Sequence, residues 1–211
     1  MRPFRRHPDL EHCLATFKKN PQLRIKDQYT RFHGALCDAA TVISHSDITY
    51  PLAAIAHLAY GWMPTILDHV ELGEFVSEQA LIRSVKDVKS LDAAYAFIAT
   101  DAFQKAPINR SWIGTSKTFH FINPKVFPIW DSKVARHFGL MSHVGVNTRG
   151  AYLRYLLFVA AQMDMKPVQS FKKMMADEGM SNVRAIELLL FLTADALSPA
   201  GGRPERREDR V

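Results

Sequence analysis

Cysteine is scarce: Cys13 and Cys37 are the only two in 211 residues, and they are too far apart for a C-x-x-C pair. That excludes a disulfide scaffold, a zinc ribbon and an iron–sulfur cluster, and it suits a reducing compartment. The nine histidines form neither H-E-x-x-H nor any compact set of ligand spacing, so no metal is expected. There is no G-x-x-x-x-G-K-S/T and no G-x-G-x-x-G to hold a nucleotide, and no organic cofactor is expected either. Nucleophile elbows and internal repeats are also missing. The most apolar runs, 52–60 and 185–192, fall well short of the roughly 20 residues a membrane helix needs, so no membrane partner is expected. The start, Met1-Arg2-Pro3-Phe4-Arg5-Arg6-His7-Pro8, is basic but has no apolar core of signal-peptide length after it. The expected location is cytoplasmic.

Alternating apolar and polar runs are absent as well, which removes the usual sign of a half-buried sheet. Helical spacing takes its place. Leu10, Cys13, Leu14 and Phe17 share one face over 9–20, and Tyr29, Phe32, Leu36, Ala40 and Ile43 share one over 26–44. The stretch 48–60 is apolar on nearly all sides and belongs in the core, closed by Gly61-Trp62-Met63-Pro64. Further helices are expected at 65–72, 74–84, 90–103 with Ser90 as N-cap, 132–138, 149–163 and 182–197. Hydrophobic residues make up 47% of the chain, enough to fill a sizeable core. The expected fold is all-α and multi-helical. Residues 1–8 are read as a basic extension, 9–197 as a single domain, with two helical lobes around 107–139 as one arrangement of it, and 198–211 as a disordered tail. The net charge of +6 favours a polyanionic partner, DNA first, bound by a monomer.

The densest chemistry lies in Ser111-Trp112-Ile113-Gly114-Thr115-Ser116-Lys117 and Pro128-Ile129-Trp130-Asp131-Ser132-Lys133-Val134. A short helix opening just after Gly114 would carry Lys117 in its first turn, and Asp131 would start the next helix after a Pro-bounded loop. A lysine among Trp112, Phe119 and Trp130 would be desolvated, which lowers its pKa and exposes the nucleophilic amine. A nearby carboxylate would stabilise positive charge developing at a sugar C1′.

The stretch 113–138 resembles the active-site unit of the helix-hairpin-helix DNA glycosylases, the superfamily of endonuclease III and the 8-oxoguanine glycosylases. In that family a glycine-containing hairpin leads into the helix of the catalytic lysine, and an apolar stretch then precedes the aspartate. The resemblance implies an all-α fold, Lys117 as nucleophile, Asp131 as activating carboxylate, and excision of a damaged base, or of a modified base such as those of phage DNA. AP-lyase activity would follow if Lys117 forms an imine. This chain has one glycine in the hairpin at a shifted spacing, and only fourteen residues from Lys117 to Asp131. The interval is several residues shorter than in the family.

Around this pair, Gly114, Thr115 and Ser116 are candidates to cradle a phosphate, and Arg110, Lys125, Lys133 and Arg136 to neutralise others. Trp130 and Trp62 are candidates to stack on an extruded base, and His120 and Asn123 to read its edges. Each also has an ordinary structural role open to it. Asp131 makes a good helix cap, Lys117 can reach solvent past its aromatic neighbours, and the tryptophans can pack the core. The alternatives to a glycosylase are a non-catalytic helical DNA-binding protein and a helical interaction protein of a mobile element.

Overall fold

The computed structural model describes residues 4, 6–25, 28–62, 70–72, 77–176 and 179–197. Short polar side chains begin most of its helices, as helix physics requires, because the first N–H groups have no partner inside the helix. Asp9 opens α1 (Leu10–Lys19) by accepting from the N–H groups of Glu11 and His12. After α2 (Gln22–Ile25) and α3 (Gln28–His45), Pro51 occupies the first turn of α4 (Pro51–Gly61), where its missing N–H costs nothing. Ser77 caps α5 (Glu78–Asp87), and Ser90 caps α6 (Leu91–Ile98) as expected, with a 3-10 turn at Asp101–Phe103 behind it.

Ser111 then caps α7 (Trp112–Ile122), Asp131 caps α8 (Ser132–His137), Ser142 caps α9 (His143–Val146) and Thr148 caps α10 (Arg149–Gln162). The chain continues with α11 (Lys166–Met174) and α12 (Asn182–Leu197). Among the described residues there is no strand, only an isolated bridge between Leu72 and Ile108. The fold is all-α, and none of the described helices is long and apolar enough to cross a membrane.

Three elements differ from expectation. The two four-residue helices, α2 and α9, are too short to show a period, and α11, which was not expected, begins at Lys166 and carries Pro167 in its first turn, where a proline does not interrupt the helix. Of the helix expected at 65–72, residues 65–69 lie outside the described residues and 70–72 are not helical. Instead the Leu72–Ile108 bridge ties this segment to the turn before α7. The tail 198–211 also lies outside the described residues, as do residues 1–3 and 5 of the N-terminal extension. Phe4 does not extend into solvent: it is buried, 4.4 Å from the Phe138 ring, with the Arg154 guanidinium over its face.

One hydrophobic cluster runs from Phe4 to Leu192. Within it α4 packs on α3, α5 and α7, while α12 packs on α1, α8 and α11, and α10 touches α6, α7 and α12. The two groups are joined through α10, which touches both α7 and α12. Each apolar side chain enclosed there contributes about 1.5–3 kcal/mol of burial, so the walls around that junction are rigid supports for any polar group placed on them.

Candidate active site

The turn that delivers α7 is unusual in its backbone. Asn109 and Arg110 both have φ of 50°, a left-handed conformation that side chains with a Cβ seldom adopt. It is held by the Leu72–Ile108 bridge, by the Asn109 N–H donating to Glu71 O at 2.7 Å, and by an Arg110–Glu71 ion pair at 2.9 Å. Beyond it, Ser111 Oγ accepts from the Gly114 N–H at 3.2 Å, and the Trp112 N–H donates to Asn147 Oδ1 at 2.7 Å. The helix therefore opens at Trp112, earlier than expected, and Lys117 stands in its second turn.

Gly114 is glycine for a steric reason. A Cβ there would fall on the Tyr60 hydroxyl and lie 2.8 Å from its Cζ, so α4 and α7 can cross closely only without it. The Tyr60 phenol also hydrogen-bonds Ser111. Ser116 makes the second join. Its hydroxyl accepts from the Trp130 N–H at 3.0 Å and stands 2.9 Å from Ile113 O and 3.2 Å from Trp130 O. Lys117 is the residue after Ser116 and Asp131 is the residue after Trp130, so this one hydroxyl sets the spacing of the two groups. The Trp130 indole N–H donates to Val146 O at 2.8 Å and fixes the same strand of chain from its other side.

Lys117 and Asp131 line one cavity of about 640 Å³, within the range of about 300–1,000 Å³ that small-molecule sites occupy. The Lys117 side chain is 5% exposed. Burial pushes its ammonium pKa down from the usual lysine value, and the Asp131 carboxylate opposes that shift. Asp131 is half-buried and also caps α8, with Oδ1 accepting from the Val134 N–H at 2.9 Å. The catalytic and capping roles considered for Asp131 use the same carboxylate without conflict: a carboxylate accepts several hydrogen bonds.

Of the other predicted residues, Trp62 and Lys133 line the cavity. Lys133 pairs with Asp195 at 2.9 Å and lies over the Phe191 ring, and Arg136 takes the other Asp195 oxygen at 3.0 Å. Lys125 is exposed, and Arg110 is exposed with its partner Glu71.

The rest are engaged inside the fold, by burial or by hydrogen bonds to other parts of the chain. Thr115 and Ser116 are fully enclosed and Gly114 is buried; Thr115 Oγ1 accepts from the Ile108 N–H at 3.2 Å, and the Gly114 N–H that an anion would need donates to Ser111 Oγ. No anion cradle is presented there. Trp130 is a core side chain, packed on Tyr155, Phe138 and Phe4. His120 is fully buried between Phe127 O and His33. Asn123 is half-buried and closes the end of α7 by donating to Val85 O and Val88 O, which joins α7 to the α5 end.

Sequence reasoning missed two charged residues of the cavity wall. Arg184 and Glu187 of α12, each 2% exposed, form an ion pair on the cavity surface, with the guanidinium 5.4 Å from the Trp62 ring centre. The available signal was two opposite charges three residues apart inside the otherwise apolar run Val183-Arg184-Ala185-Ile186-Glu187-Leu188-Leu189-Leu190. Such charges are buried only in pairs. Tyr60, Phe191 and Asp195 also line the cavity. No family model, curated protein or solved structure matches this chain.

Proposed function

We propose that the chain is a DNA N-glycosylase that excises a damaged or modified base, with Lys117 as the amine nucleophile and Asp131 as the charge-stabilising carboxylate. The observation that carries this reading is the shared cavity: a desolvated lysine and a half-buried carboxylate open onto one hollow walled by Tyr60, Trp62 and Phe191. A buried amine with a lowered pKa is a better nucleophile at neutral pH because more of it carries a free lone pair. The resemblance of 113–138 to the helix-hairpin-helix glycosylases agrees with it, and the net charge of +6 suits a DNA partner.

In this reading a nucleotide leaves the duplex and its base enters the cavity. The bond from C1′ to the base breaks with its electron pair going to the base, which takes up a proton. Asp131 stabilises the positive charge left on the sugar. The Lys117 lone pair then forms the new bond at C1′, the amine gives up a proton, and opening of the sugar ring leaves an imine. Lyase activity would proceed from that imine by loss of the C2′ proton and departure of the 3′ phosphate.

Borohydride tests the amine step, since it reduces the imine to a stable secondary amine. Wild-type protein should become covalently joined to DNA, and Lys117→Ala should not. A second reading, a non-catalytic DNA-binding protein, draws on the capping bond of Asp131 to Val134. It predicts DNA binding with neither base release nor adduct in the wild type.

A further inference from the structure

Most of the cations expected to meet phosphates are already held by the protein. Arg110 pairs with Glu71, and Lys133 and Arg136 share Asp195, so a phosphate at either place competes with a carboxylate. Arg149 is engaged with the carbonyls of Ile98 and Thr100.

Positive charge without such partners gathers where two helices end together. α1 and α11 pack on each other, with the Phe17 and Phe171 rings 5.1 Å apart and nearly perpendicular. Lys18 and Lys19 follow Phe17 directly, and Lys172 and Lys173 follow Phe171, each pair in the last turn of its helix. Lys18, Lys19 and Lys173 are exposed and Lys172 is half-buried. None of the four forms an ion pair among the described residues. α11 contains no acid, and the one in α1, Glu11, stands in its first turn, about 10 Å along the axis from Lys18.

A helix C-terminus favours cations, so a lysine at each end has a structural role of its own. That role is too small to account for four. Each C-terminus carries about half a negative charge, about −1 for the two, which leaves about three positive charges unopposed. A duplex presents one phosphate charge about every 1.7 Å along its axis, so an edge of this kind can meet several at once. The edge also borders the cavity. The Asn20 N–H donates to Phe17 O at 3.2 Å and the Leu23 N–H to Asn20 O at 2.9 Å, so the chain turns directly from Lys19 to Leu23, a residue that lines the hollow of Lys117 and Asp131.

Resting on the glycosylase reading for the identity of the nucleic acid, we propose that Lys18, Lys19, Lys172 and Lys173 form a phosphate-binding edge that holds the backbone of duplex DNA beside the cavity. The contact reads no sequence, because phosphates are alike in every duplex.

Fluorescence-anisotropy titration of the full chain with two labelled duplexes of unrelated sequence, repeated over a range of KCl concentrations, tests the edge. The variant Lys18→Gln, Lys19→Gln, Lys172→Gln, Lys173→Gln should bind both duplexes at least about tenfold more weakly at about 0.1 M salt, and the slope of log K against log salt should flatten by about 0.9 for each lysine that meets a phosphate, about 2–4 in all. Arginine at the same four positions should restore both. Lys89→Gln with Lys105→Gln, exposed lysines between α5 and α7, should leave the slope unchanged. Single-turnover base release at saturating DNA should keep its rate in the four-lysine variant, because none of the four lines the cavity. An unchanged slope in that variant, an equal loss per charge in the Lys89 and Lys105 variant, a lowered rate at saturation, or wild-type protein that binds anionic phospholipid vesicles and no duplex would overturn the proposal. Duplex binding that depends on these lysines, with no base released from any DNA, leaves the edge standing and sinks the glycosylase reading, so the two failures separate.

Discussion

Replacing Asp131 by asparagine and by alanine separates what its carboxylate does for the helix from what it does for the reaction. Its Oδ1 accepts from the Val134 N–H at 2.9 Å, and the backbone at Asp131 is extended, as an N-cap requires. Asparagine caps nearly as well, so Asp131→Asn should leave stability within about 0.5 kcal/mol of wild type. Alanine leaves that donor without its side-chain partner, and loss of a cap costs about 0.5–2 kcal/mol, typically near 1. For a folded unit of this size 1 kcal/mol moves the melting temperature by about 2–4 °C. The expected order of melting temperatures is wild type equal to Asn, with Ala lower. Base release should order differently, because both variants lose the negative charge that would stabilise the sugar cation. Removing such an electrostatic contribution lowers rates by about 10²–10³. Differential scanning calorimetry and single-turnover base release on the same preparations give both orders. Asp131→Asn with wild-type turnover would refute the electrostatic role, and an unchanged melting temperature in Asp131→Ala would refute the cap.

Lys117→Met should melt higher than wild type at pH 7, because the folded state disfavours the ammonium that the unfolded chain carries freely, and the gap should close as pH approaches 10.5; thermal unfolding across that range checks it. Acid should destabilise the protein through the His33–His120 pair, since burial holds His33 down to about 3 and His120 well below the usual histidine value. Below pH 6.5 the unfolded chain takes up protons that these folded side chains refuse, so stability falls by about 1.4 kcal/mol per pH unit for each, and denaturant titrations should show a shallower slope in His33→Gln. Ser116→Ala should cost about 1–3 kcal/mol, because the buried Trp130 N–H loses its acceptor, and it should slow base release as well by loosening the Lys117 to Asp131 spacing. Asp195→Asn should tighten DNA binding and steepen its salt dependence, since it releases Lys133 and Arg136 from a half-exposed pairing worth at most about 1 kcal/mol.

Much of the scaffold is legible in the chain because its signals are local. Asp9, Ser90 and Asp131 announce helix starts through side chains that reach two or three residues ahead, and the apolar period of 9–20 or 182–197 needs no knowledge of the partner surface. The placement of Lys117 and Asp131 on one hollow follows the same logic, since a single loop joins them. The register of α7 was lost because Gly114 looked like a helix opening, whereas it is a contact point for Tyr60, fifty-four residues earlier. His120 pairs with His33, and Trp130 packs on Phe4 and Tyr155; neither neighbour is near in sequence, so both residues kept a functional appearance that burial removes. The Arg184–Glu187 wall was hidden for the opposite reason. An apolar helix with two charges reads as ordinary until the charges are seen to line the same cavity as Lys117.

Release of free base from duplexes carrying a panel of damaged and modified bases, measured by mass spectrometry for wild-type protein and Lys117→Ala, tests the central claim most directly. At least one duplex should yield free base with wild-type protein, and the Lys117→Ala yield from it should fall by at least about a hundredfold, the scale on which a positioned catalytic group acts. Equal release by the two proteins, or none by wild type across the panel while DNA is bound, would contradict the account.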